Sequence, residues 1–81
     1  MVMKEKKWIK TEQMLEALKN DPDKEHEYTH YLGSCLRSTH WFEYDSKKNL
    51  FGHSTDWFHS DWCTEEELLD AYAGHWWRWD A

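Results

Sequence analysis

One proline, three glycines and two cysteines in 81 residues are a short supply, and each scarcity removes a reading. Three glycines leave no glycine-rich loop to cradle a phosphate, and no serine or cysteine sits in a nucleophile elbow. Cys35 and Cys63 are too few for a disulfide scaffold and contain no C-x-x-C pair, so free, buried thiols are expected. No run approaches the roughly 20 apolar residues of a membrane span, and Met1–Lys7 lacks the apolar region of a signal peptide, which gives a cytoplasmic expectation. Positive charge is also scarce. Lys4, Lys6, Lys7 and Lys10 lead the chain, but an acidic excess follows and the formal net charge is −6. A protein that grips phosphates shows a basic stripe instead, so direct nucleic-acid binding is disfavoured.

What the chain does have is tryptophan, seven residues of it, within an aromatic content of 17%. A mean hydropathy of −1.06 alone would suggest disorder, yet aromatic side chains each bury about 150–250 Å² and can build a core where aliphatics are sparse. One folded domain over residues 1–81 is expected, too small to enclose a large catalytic pocket, and hence no enzyme.

The expected fold class is α+β. Thr11–Asn20 reads as an amphipathic helix capped by Thr11, with Met14, Leu15 and Leu18 on one face, and Pro22 stops it. His26, Tyr28, His30 and Leu32 alternate with Glu27, Thr29 and Tyr31, a period of two that predicts a strand. Thr39–Tyr44 and Leu50–His53 form a hairpin about the turn Asp45–Asn49, and Asp56–Trp62 is a strand or a loop. Thr64 and Glu67 make a capping box for a second helix over about 65–73, with Gly74 placed to end it. His75–Asp80 predicts a terminal tryptophan-rich strand, with Trp77 and Trp79 on one side and Trp76 and Arg78 on the other. The sum is an antiparallel sheet of three to four short strands, two helices and that final strand.

Two motifs invite metal chemistry. His26-Glu-Tyr-Thr-His30 has the HExxH form, with Gly33 at the spacing of metzincin zinc proteases, which need both imidazoles one helical turn apart. The third-ligand position holds Leu36, and a strand would throw His26 and His30 too far apart for one ion. Cys35 with His40, and His59 with Cys63, have spacings that suit a closed zinc site, which would make the chain a small zinc-stabilised adaptor. The simpler expectation is no cofactor, with both cysteines packed as small apolar residues.

The run Glu12–Lys19 ahead of a proline turn, the tryptophan-rich hairpin, Thr64–Leu69 and the terminal tryptophan strand together resemble short proteins encoded by bacteriophages and prophages of Gram-positive bacteria. That family style includes anti-CRISPR and other anti-defence inhibitors. The resemblance implies a non-enzymatic inhibitor that binds one host protein through an acidic surface over a basic, nucleic-acid-binding cleft. The expected contact residues are Glu65, Glu66, Glu67 and Asp70 with Asp56, Asp61, Trp57 and Trp76, since carboxylates on a rigid helix can mimic phosphates. A homodimer through exposed tryptophans is an alternative.

Overall fold

A computed structural model describes residues 7–31, 37–55 and 61–80. The element order is β1 (Trp8–Lys10), α1 (Thr11–Lys19), β2 (His26–Tyr31), β3 (Arg37–Asp45), β4 (Leu50–Thr55), β5 (Asp61–Cys63), α2 (Glu65–Ala71) and β6 (Trp76–Trp79). The strands form one six-stranded sheet in the order β1-β6-β2-β3-β4-β5, antiparallel at every pairing. This overturns the expected three to four strands beside the terminal one. The alternation rule misses β1 and blurs β5 because each has only three residues, too few to show a period of two.

Cross-strand register sorts every strand residue onto one of two faces. Ile9, Trp77 and Trp79, then His30 and Tyr28, then His40, Phe42 and Tyr44, then Phe51 and His53, share the inner face. The molecule measures 33 × 32 × 21 Å, a thickness that fits one sheet and one layer of helix. Met14, Leu15 and Leu18 of α1 and Leu68 of α2 are buried with Tyr28, Phe42, Phe51 and Trp77 in one core. Lys19 Nζ and Glu65 Oε1 stand 2.5 Å apart and join the two helices.

The tryptophans do not all condense into this core, as a wholly aromatic interior would require. Trp77 is fully buried and Trp79 packs at the core's margin, but Trp62 and Trp76 are exposed on the other face. Trp8 and Trp41 are half-buried. The core is a mixture of helix aliphatics with Phe, Tyr and His from the strands.

Thr11 is not the cap the sequence suggests. Lys10 holds the N-cap position and its amide donates to Gln13 Oε1 at 2.9 Å, while Thr11 begins the helix and points inward. Its hydroxyl accepts from Trp77 Nε1 at 2.9 Å and donates to the Tyr72 carbonyl at 2.8 Å. One buried hydroxyl thus ties α1 to β6 and to the end of α2. Thr11→Val keeps the shape and removes both bonds, so it should lower the unfolding free energy by about 1–3 kcal/mol, read from the urea midpoint, with Thr11→Ser close to wild type. No helix among the described residues is long and apolar enough to cross a membrane.

Candidate functional site

The densest polar arrangement lies on the inner face, where three strands and one turn each contribute an imidazole. His30 extends from β2, His40 from β3 and His53 from β4, all with the parity of the core aromatics beside them, and His75 stands in the turn before β6. His75 Nδ1 and His30 Nε2 share a hydrogen bond of 2.6 Å. His30 Nδ1 lies 3.4 Å from Ser38 Oγ, and Ser38 Oγ lies 2.9 Å from His40 Nε2. His40 Nδ1 and His53 Nε2 then meet at 2.7 Å. The result is an unbroken chain, His75–His30–Ser38–His40–His53, running across the sheet.

Rings hold it in place. His53 stacks on Phe42 with centroids 4.5 Å apart and planes 3° apart, and His40 stacks on His53 at 4.9 Å. Trp77 presents its edge to His40 at 5.0 Å. Tyr72, the residue that ends α2, meets His30, His40 and His53 edge-on at 5.6–5.9 Å. Its phenol pKa is raised, first by burial and then by Cys63.

Burial decides the charge state. It pushes His40 down to about 3, with His53, His30 and His75 adding repulsion to a proton. It pushes His53 down to about 4, although Asp61, opposite it in register on β5, pulls the other way. His30 is lowered by burial and then by His75. These imidazoles are therefore neutral near pH 7. A neutral imidazole has one donor and one acceptor nitrogen, so the links among His30, Ser38, His40 and His53 can align in one direction or the other.

The sequence motifs fare differently. His26 and His30 both lie on β2, where four residues span about 13 Å, which takes the HExxH pair out of reach of one ion. His26 accepts at 3.3 Å from Trp79 Nε1 and approaches Asp21 Oδ2 at 3.1 Å. Of the zinc candidates, Cys35 and His59 lie outside the described residues. His40 has both nitrogens engaged by Ser38 and His53, and Cys63 is a free thiol whose pKa is raised by burial first, then by Asp61 and Glu67. Among the described residues no three His, Cys, Asp or Glu side chains come together to hold a metal ion.

The expected contact residues are divided between surfaces. Asp56 and Trp57 lie outside the described residues. Glu66, Glu67 and Asp70 are exposed on α2, where with Thr64 they line a shallow, open depression. The capping box is present as read: Thr64 Oγ1 accepts from the Glu67 amide at 3.1 Å, and Glu67 Oε1 accepts from the Thr64 amide at 2.9 Å. Glu65 is tied to Lys19. Asp61 sits apart on the edge strand β5. Trp76 lies on the opposite side of the molecule, on the outer sheet face with Trp8, Tyr31, Trp41 and Trp62.

That outer face is dressed with cations over its rings: Lys48 over Trp62 at 4.9 Å, Arg78 over Trp8 at 5.2 Å and Lys10 over Trp76 at 5.8 Å. Gly52 makes room there, since a Cβ at that position would meet the Trp62 ring at 3.3 Å. Comparison with protein-family models, curated proteins and solved structures returns no match to the chain.

Proposed function

We propose that the chain is a non-enzymatic acidic binding protein that occupies the basic, nucleic-acid-binding cleft of a host protein inside the host cell, as an inhibitor of the phage-encoded kind that its sequence resembles. The observation that supports this reading is the clustering of exposed carboxylates on the two helices. Glu12 and Glu16 on α1 and Glu66, Glu67 and Asp70 on α2 are exposed, and the Lys19–Glu65 pair between the helices ties the two into one layer. The capping box fixes the first turn of α2, so its carboxylates are presented without first having to be ordered, which favours binding. Carboxylates held in this way steer association with a basic cleft and occupy it as phosphates would.

Glu66→Lys with Asp70→Lys tests it. In a pulldown from host lysate read by mass spectrometry, followed by titration of the captured protein, the double variant should bind about tenfold or more weakly, and nucleic acid should compete with the wild type. Unchanged affinity in that variant overturns the reading.

A second reading is favoured by one observation, the exposure of Trp62 and Trp76 on a sheet face that neither helix covers. It makes that face the contact, with a partner or with a second copy of the chain. Trp62→Ala with Trp76→Ala would then abolish capture, or halve the mass seen by light scattering, while the charge reversals leave both intact.

A further inference from the structure

We infer that the outer face of the sheet is the contact between two copies of the chain, paired sheet to sheet about a two-fold axis, with the Lys10 and Arg78 corner of each copy against the Glu43 end of the other. The inference deepens the second reading above and rests on it, since it commits that face to one occupant.

Register lays the face out. Reading across the strands, Lys10, Trp76 and Tyr31 share one row and Trp8 and Arg78 the next; Trp41 stands in a third, and Glu43, Gly52 and Trp62 form a fourth. The rings therefore run as a diagonal band from the corner of β1 and β6, through Tyr31 and Trp41, to Trp62 on the opposite edge strand. At one end Trp8 and Tyr31 meet with centroids 5.3 Å apart. At the other the Trp62 ring lies against Gly52 and is 42% exposed.

The size suits a pair. The face spans 33 × 32 Å, roughly 800 Å² in plan, which is what each partner gives to an interface of standard size. Its chemistry is that of an interface, with indoles and a phenol across the middle and lysines at the margin. Its charge is mixed. Among the described side chains Lys10, Lys48 and Arg78 stand with Glu27, Glu43 and Asp45, a combination that matches neither a polyanion nor a polycation.

The mixture is sorted along the band. Lys10, 5.8 Å from the Trp76 ring, and Arg78, 5.2 Å from the Trp8 ring, belong to one end. Glu43 stands across from Gly52 beside Trp62 at the other, while Lys48, held over Trp62, lies beyond it in the turn at the rim. A closed pair needs a patch that meets itself when turned through a half-circle. A two-fold axis lying in the face, at right angles to the band, meets that need. It returns the band to itself, exchanges its ends, and sets Lys10 and Arg78 of each copy against Glu43 of the other. Opposite charges then meet twice, and the exposed indoles of Trp76 and Trp62 cover one another. Both helical layers are left pointing outward, so the pair presents two acidic faces on opposite sides.

Arg78 is also paired with Asp80 at 3.3 Å, so Lys10 and Glu43 are the residues to exchange. Sedimentation equilibrium of the isolated chain at about 100 μM should give twice the 10.0 kDa of one copy. Lys10→Glu sets like charges together at both contacts of a pair, and so does Glu43→Lys, so each variant alone should pair about tenfold or more weakly. Mixed in equal amounts they should pair again, because one chain of each kind restores opposite charges at both contacts. Circular dichroism checks that each is folded; if either is not, Trp62→Ala with Trp76→Ala takes its place and should halve the mass. A wild-type chain that stays at 10.0 kDa, an equal mixture that pairs no better than its components, or an undiminished mass in the tryptophan variant overturns the pairing. Where the wild type stays single, capture of a host protein separates the two failures. Capture abolished by Trp62→Ala with Trp76→Ala gives the face to that protein and leaves the second reading standing, whereas capture that survives ends both.

Discussion

Trp77→Ala is expected to leave the chain largely unfolded at 25 °C. Trp77 is fully buried and central to the core, and truncating a buried tryptophan costs about 3–5 kcal/mol. The loss also strips Thr11 of a donor and removes the ring edge packed against His40 and Phe42. A domain of this length holds only about 3–5 kcal/mol in reserve, so the cost is comparable with the whole stability. Circular dichroism should show loss of the cooperative thermal transition. Trp77→Phe retains a ring but not the indole N–H. It should fold with a urea midpoint reduced by about 1–3 kcal/mol, much of which Thr11→Val would also produce, since both changes break the same bond.

Acidification is expected to give the second large effect. His40 and His53 sit at about 3 and about 4 in the folded state against 6.5 unfolded, so the unfolded chain binds more protons wherever the pH is below the unfolded value. The stabilisation is therefore complete above about pH 6.5 and is lost as the pH falls toward the folded values. From about pH 7.5 to pH 5 each group forfeits about 2 kcal/mol, and because the two share one hydrogen bond the joint loss is about 2–4 kcal/mol. Urea titrations at the two pH values measure it. A midpoint that stays level or rises on acidification would contradict the neutral, buried state of these rings.

How much of this was legible in the sequence depends on how local each signal was. The period of two in His26, Tyr28 and His30 marked β2 as a strand, and the Thr64–Glu67 box located the start of α2 to the residue. The split of Trp77 and Trp79 from Trp76 and Arg78 followed from parity alone. Strand β1 escaped because it runs straight into α1, with Lys10 serving both as its last residue and as the helix cap, so no turn marks the join. The histidine chain escaped for a different reason. Each of its three strand histidines was visible beside an inward aromatic, His30 next to Tyr28 by parity, His40 by Phe42 and His53 by Phe51, but their meeting depends on register between strands. The hairpin turn of residues 46–49 sets that register for His53 against Phe42, and nothing in the strands alone encodes it. The expected single contact surface divided for the same reason: Trp76 and the acids of α2 are near in sequence, yet β6 carries Trp76 on the face that points away from the helices.

The sheet narrows at its margins, since β1 and β5 each contribute three residues while β3 between them has nine. Among the described residues, a foreign strand arriving at either rim therefore finds only a short row of amides and carbonyls to copy, too short to seed a continuous ladder. Among the described residues, the indoles on the flat of the sheet are thus bordered by rims that offer little backbone to a strand-by-strand polymer.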